Sequence, residues 1–346
     1  MSKYDIISLR ISRRPRLDER GIALLLTLLV TIILAVVVLE VNYLMRVHAT
    51  LSGNLLDSLK AETAARSAVE KAKALLLNDF LADYKKGLAS DALDEGWAAE
   101  IRIETKSGVA DATISDEMGK INLNRLVKRP AAAGGAETPD TAMVESVKRL
   151  FELLELDPNL IDCIIDWIDE NDQEEPFGAE NPYYESLTPL MNSKDGPLDS
   201  VDELLFVKGF DSKILYGDDE KPGLVDFVTV CGDEHGFVNI NTADEKVIAA
   251  IVNSESLAST IVDSRESSSF VSSEDLTTRV AGANLSGKFT VASSFFLVTS
   301  TARILPESLS GREVKIRTIL RRVQPEADEQ QKETVRIDTA FWKVER

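Results

Sequence analysis

The densest run of metal-ligand side chains in this chain is DWIDENDQEEPFGAEN, from Asp166 to Asn181. Counted from Asp169, Asn171 stands third, Gln173 fifth and Glu180 twelfth, the spacing at which a calcium loop presents its oxygens. Glu174 occupies the sixth place, where such a loop turns on glycine, so a true EF-hand turn is not expected. A loop carrying Asp169, Asp172, Glu180 and Asn181 can still offer roughly six oxygens to a hard cation. Carboxylates crowded together without a cation repel one another. A solvated acidic loop is the plain alternative, and spacing alone leaves both open. A second acidic group follows at Asp195, Asp199 and Asp202. The rest of the chain offers little chemistry. His235 follows Cys231 closely, but no further Cys or His stands nearby to complete a zinc site, and His48 is remote. Phosphate-binding loops, nucleophile elbows and His-Glu-x-x-His phrases are absent, so no catalytic activity is expected.

The elements that must position these residues begin with an apolar run. Ile22–Leu39 is interrupted only by Thr27 and Thr31. As a helix it spans about 27 Å, close to the hydrocarbon thickness of a bilayer. Six basic residues precede it (Lys3, Arg10, Arg13, Arg14, Arg16 and Arg20), and the next basic residue is Arg46. This asymmetry predicts residues 1–21 in the cytoplasm and the bulk of the chain outside. Apolar positions then recur at three and four residues through AETAARSAVEKAKALLLNDFLADY, so one helix is expected from Ile22 to about Tyr84, with Gly53 its weak point. The chain of 346 residues carries a net charge of −19. That balance disfavours nucleic acid as a partner. Cys163 and Cys231 are too few for a disulfide scaffold, and sequence does not decide whether they pair.

From Trp97 the period changes to two, and WAAEIRIETKSGVADATISD reads as two strands with a turn at Ser107–Gly108. An internal repeat follows. GKINLNRL and GFVNINTA share an Asn-x-Asn phrase at Asn122/Asn124 and Asn239/Asn241. Each is followed by an apolar helix, LIDCIIDWIDEND or ASTIVDSRESSSF. Each then shows a Ser-x-x-acid-Leu phrase, SVDELL or SSEDL, that caps a further helix. The halves are set at 121–212 and 213–290, as small helical units rather than strands. Alternating stretches at 291–324 are expected to close a sheet with the strands of 97–120. The charged tail, 325–346, is expected to be loose up to Val335, with a final strand over Ile337–Trp342.

The second copy resembles a helix-hairpin-helix module of DNA-uptake proteins, but AAIVNSESLAST lacks the glycines that would cradle phosphate. The leader ending at Gly21, with its apolar half-helix, resembles the signal of type IV pilins and pseudopilins. That resemblance implies a prepilin peptidase cutting between Gly21 and Ile22 and methylating Ile22. The family's first mature residue is usually Phe or Met and its fifth Glu; here they are Ile22 and Leu26. A Glu there is thought to neutralise the neighbouring subunit's buried ammonium, so a subunit with nobody ahead of it should lack one. With the phrases GKINLNRL, DWIDEND, GAENPYY, SVDELLFVKG and VNINTA, the chain resembles the general secretion pathway protein K family, the large minor pseudopilin of type II secretion. The resemblance implies an α+β fold: a long N-terminal helix on an antiparallel sheet, with a large inserted α-helical domain. It also implies structural calcium at Asp169, Asp172, Glu180 and Asn181. Partners implied are the minor pseudopilins I and J, with H beneath them, and the inner-membrane secretion platform. The place implied is the periplasmic tip of the pseudopilus, where the subunit would cap the fibre and help initiate its assembly. The rivals are a bitopic calcium-binding adhesin or receptor with an uncleaved anchor, and a DNA-uptake protein.

Overall fold

A computed structural model describes residues 19–86, 90–105, 108–130, 137–233, 235–280, 285–304, 313–323 and 335–345. The leader over residues 1–18, Ser107 of the expected turn and the stretch 324–334 lie outside the described residues. The chain divides into two compact units, Met1–Leu59 and Lys60–Arg346.

Helix α1, Glu19–Lys86, begins in the first unit and continues into the second, without a break at Gly53. In the first unit its apolar side chains are exposed from Ile22 to Leu39. The two hydroxyls there do not compete with solvent for partners. Thr27 Oγ1 donates to the Leu24 carbonyl (2.9 Å) and Thr31 Oγ1 to the Leu28 carbonyl (2.8 Å). Every polar group of this span is thus satisfied within its own helix, as a lipid environment requires.

In the second unit the same helix becomes one-sided. Ala61, Ala64, Ala65, Ala68, Val69, Ala72, Leu76 and Phe80 are buried at three- and four-residue spacing. They rest on a five-stranded antiparallel sheet, order β1-β2-β9-β10-β11. Its strands are β1 (Ile101–Thr105), β2 (Gly108–Asp116), β9 (Phe295–Ile304), β10 (Glu313–Val323) and β11 (Arg336–Glu345). The alanines let backbone and sheet approach closely, and Ser300 Oγ donates to the Ala65 carbonyl at 3.1 Å. Burial alternates along β9 and β10, with Phe296, Val298, Val314, Ile316 and Leu320 facing the helix. The final strand is longer than the expected Ile337–Trp342.

Between β2 and β9 the chain leaves the sheet to build a helical domain with its own core. The first copy holds β3 (Ile121–Asn122), the short pair β4 (Val127–Lys128) and β5 (Thr138–Pro139), α2 (Thr141–Leu153), α3 (Leu160–Ile168), α4 (Asn181–Glu185), α5 (Ser212–Tyr216) and β6 (Val228–Thr229). The second holds β7 (Val238–Asn239), α6 (Glu245–Val252), α7 (Glu255–Ser267), α8 (Ser273–Arg279) and β8 (Phe289–Thr290).

The two copies use the same local devices. Asn122 Oδ1 accepts from the Asn124 amide, and Asn239 Oδ1 from the Asn241 amide, both at 3.0 Å. The second asparagine then clips a distant loop: Leu198 N donates to Asn124 Oδ1, and Phe270 N to Asn241 Oδ1. Two residues after each clip stands the capping serine. Ser200 Oγ accepts from Asp202 N, opening the 3-10 turn Val201–Phe206, and Ser272 Oγ accepts from Asp275 N, opening α8. The acid of each box reaches back to the residue before the serine, Glu203 to Asp199 N and Asp275 to Val271 N. Each copy also closes with a two-residue parallel strand pair, β3 with β6 and β7 with β8, too short to mark the sequence. Because β6 pairs with β3, residues 213–230 pack with the first copy, and the expected break at 212/213 falls inside it.

Candidate functional site

The acidic loop hangs from the C-terminal end of α3. One face of that helix places Asp162 and Asp166 a turn apart, with Asp169 next along as its C-cap. All three are buried, as is Glu180 at the far end of the loop. Two of them organise the loop backbone. Asp166 Oδ1 accepts from Glu175 N at 3.1 Å, and Asp162 Oδ2 from Phe177 N at 3.3 Å. Gly178 lies so close that a Cβ there would sit 1.8 Å from Asp166 Oδ2, so only glycine lets the loop pass. Lys208 Nζ donates to the Gly178 carbonyl at 2.7 Å, and the Trp167 and Tyr184 rings meet edge to face beneath.

Asp169 and Glu180 are treated differently. Asp169 Oδ2 accepts from Asn171 Nδ2 (2.9 Å), but its Oδ1 is buried with no partner, and neither oxygen of Glu180 has one. Among the described residues no lysine or arginine pairs with either. Arg129 is near, donating to the Ile168 carbonyl, but its charge is taken by Glu137 at 2.9 Å. Burial first, then Asp166 and Glu137, pushes Asp169 up to about 7. Burial first, then Asp166, Asp169 and Asp195, pushes Glu180 up to about 7. Burial also raises Asp166 to about 6, against the loop amides it accepts from. Orphaned carboxylate oxygens, mutual repulsion and an all-oxygen donor set fit a hard cation such as calcium.

Of the four residues expected as ligands, Asp169 and Glu180 come together in this buried acidic environment. Asn181 Oδ1 is occupied by the Ser193 amide and hydroxyl, both at 3.0 Å. Asp172 is exposed and reaches Glu180 only through its charge. Sequence reading missed Asp166 as a member of the site, although its place one turn before the loop was a signal. It also grouped Asp195 wrongly. Asp199 pairs with Lys194 (2.7 Å) and Asp202 with Lys343 (3.0 Å), so the second acidic group is already neutralised by lysines. Asp195 instead faces the first site, bonded by Ser193 Oγ at 2.6 Å and raising Glu180.

The remaining singled-out residues are plain in the structure. Gly21, Ile22 and Leu26 lie on α1, with Ile22 and Leu26 exposed. Cys163 and Cys231 are free thiols that burial pushes up to about 11. His235 is exposed and stacks on Phe237. The α6–α7 hairpin turns on Asn253 (φ 57°), which takes the left-handed conformation a glycine would otherwise supply.

Two family models described as type II secretion system (T2SS), protein K match this chain, over residues 119–216 and 238–299. The type II secretion system protein K of Klebsiella pneumoniae is 28% identical over 253 residues, covering 72% of this chain and 74% of that protein. The Aeromonas hydrophila protein of the same name is 26% identical, covering 68% and 70%. Among solved structures, the GspK-GspI-GspJ complex from the enterotoxigenic Escherichia coli type 2 secretion system superposes with a TM-score of 0.67. Identity there is 17%, with 85% of this chain and 99% of that chain covered.

Proposed function

We propose that the chain is a type II secretion system protein K, the minor pseudopilin at the periplasmic tip of the pseudopilus, and that it works by assembly rather than catalysis. One observation carries this reading. Helix α1 is exposed and apolar over Ile22–Leu39, and its later stretch, Ala61–Phe80, is buried against an antiparallel sheet. Such a rod lies in a bilayer until partner rods replace lipid around its apolar face, a change of neighbours that leaves its backbone bonds intact.

Processing follows from the same helix. Removal of the leader at Gly21 would leave Ile22 as the first residue and Leu26 as the fifth. With no carboxylate at that place, this rod offers nothing to neutralise a subunit ahead of it, which suits the leading position. The partners we assign are the minor pseudopilins I and J, with H beneath, in line with the solved complex of the structural relative. The second element is the helical domain, whose acidic loop we assign to structural calcium held by Asp169 and Glu180, with Asp166 and Asp195 alongside. The ion's part is to cancel repulsion and fix the path from α3 to α4.

Co-expression with the minor pseudopilins I and J tests the assembly reading. The detergent-extracted chain is expected to co-purify with both, and an Arg substituted for Leu29 or Ile33 in the apolar span to abolish this. A chain that extracts as a monomer with I and J present would overturn it.

A further inference from the structure

A second place in the molecule gathers carboxylates, and no part of the assembly reading uses it. Asp79 lies near the end of α1, and Asp91 and Glu95 lie in the segment leading into β1. One carboxylate oxygen from each lies within 4.8 Å of the other two. Asp91 is 1% exposed. Its Oδ2 is taken by Arg322 Nη2 and by Ser293 N (2.7 Å), and the oxygen left over, Oδ1, is buried without a partner. Asp79 Oδ2 is likewise buried and unpartnered. Glu95 Oε2 accepts from Trp97 Nε1 at 2.7 Å.

The charges do not close. Among the described residues Arg322 is the one cation bonded to the group, and it answers Asp91. Its guanidinium is otherwise sandwiched by Phe80 and Phe296, at 5.0 and 5.1 Å from their rings. Nearby Lys86 is bonded to Asp83 at 2.9 Å and reaches Asp79 and Glu95 only through its charge, so it does not bond the remaining pair. Two half-buried carboxylates, Asp79 and Glu95, are left facing each other beside a buried orphan oxygen. We propose that Asp79, Asp91 and Glu95 form a calcium site that pins the end of the long helix to the segment entering the sheet.

The chemistry selects the ion. The donors are all oxygen, which excludes soft metals. Oxygens around one calcium can be no further apart than twice the metal–oxygen distance, about 4.6–5.2 Å, and the observed limit falls within that. Partial exposure of Asp79 and Glu95 leaves room for water to complete the shell. Three carboxylates, one shared with an arginine, suit affinity on the order of 10⁻⁴–10⁻³ M, appropriate to an extracytoplasmic setting. The site is independent of the α3–α4 loop, which lies in the other core.

The test uses the full chain in detergent, with the loop silenced by Asp169→Ala and Glu180→Ala. Equilibrium dialysis at millimolar calcium is expected to find one bound ion per chain in this background. Adding Asp79→Asn and Glu95→Gln, which keep shape and can hydrogen-bond to each other, should remove it, along with the calcium-induced rise in Tm. Terbium in the same background should show emission sensitised by Trp97 and lost on Trp97→Phe, a readout that does not require the carboxylate variant to fold. No bound ion in the loop-silenced chain would overturn the site. So would an ion that survives Asp79→Asn and Glu95→Gln. A Tm that rises on these substitutions in calcium-free buffer, with bound calcium unchanged, would show that a shared proton occupies the place. If the loop reading alone fails, the unmodified chain binds one ion rather than two and the junction variant removes it.

Discussion

The two copies of the helical repeat solve the same electrostatic problem in opposite ways. Each has a helix, α3 or α7, whose last carbonyls gather partial negative charge. In the second copy Arg279, from α8, donates to the carbonyls of Ser264 and Ser268 at the end of α7 and lies 4.2 Å over Phe270. Arg265 does similar work for the Ile240 and Ala243 carbonyls. In the first copy the equivalent helix end carries Asp166 and Asp169, and Glu180 faces them across the loop. Copy two thus contains its own cation, and copy one leaves oxygens of Asp169 and Glu180 without a partner. Burial of acids alone does not make such a place. Asp116 is equally buried, yet its Oδ2 accepts from Asn239, Thr242 and Ser293, and no oxygen is orphaned. The supply of donors, not the depth, separates the two.

The largest expected effect breaks this contrast in copy one. Asp169→Ala with Glu180→Ala should remove the loop's share of the calcium-dependent rise in Tm, lowering the loop's affinity about 100-fold or more on titration and leaving only the smaller rise of the junction carboxylates. The same calcium-dependent term carries a pH signature. Asp169 and Glu180 have folded values raised to about 7, so in calcium-free buffer their stabilising contribution is whole below about pH 4. It is lost as pH rises through about 7. Thermal scans from about pH 5 to about pH 8 should therefore show Tm falling under chelator and holding steady with calcium. A calcium-free Tm that climbs over this range would count against the unpaired carboxylates.

Gly178→Ala comes next. Its Cβ would meet Asp166 Oδ2, and we expect a loss of about 1–3 kcal/mol, or roughly 2–4 °C of Tm per kcal/mol, with weaker calcium binding. Arg279→Ala sharpens the comparison from the other side: about 1–3 kcal/mol lost, identical with and without calcium. Any calcium dependence of that loss would mean the two copies are not alternatives. The smallest effect is expected of Asp199→Asn, whose exposed pair with Lys194 should contribute under about 1 kcal/mol and leave calcium titration unchanged.

Much of this was legible in the residues. The Asn-x-Asn phrases, the capping serines and the alternation of β9 and β10 act through bonds within a few residues or through a period, and both leave a mark on sequence. The apolar span and its continuation into a spine were legible for the same reason. Membership of the acidic site was not. Asp195 joins it from fifteen residues beyond Glu180 through a left-handed backbone turn (φ 52°), and Lys343 reaches Asp202 from the far end of the chain. Such neighbours are set by packing, and spacing carries no trace of them. The parallel pairs β3–β6 and β7–β8 escaped notice because two residues have no period.

The central claim is that an exposed apolar rod is freed at its cytoplasmic end to join others. Intact-mass measurement of the chain recovered from cells that carry the secretion machinery tests it directly. The account predicts loss of residues 1–21 and a methyl group on Ile22. A mass that retains Met1, with the leader intact, would contradict it.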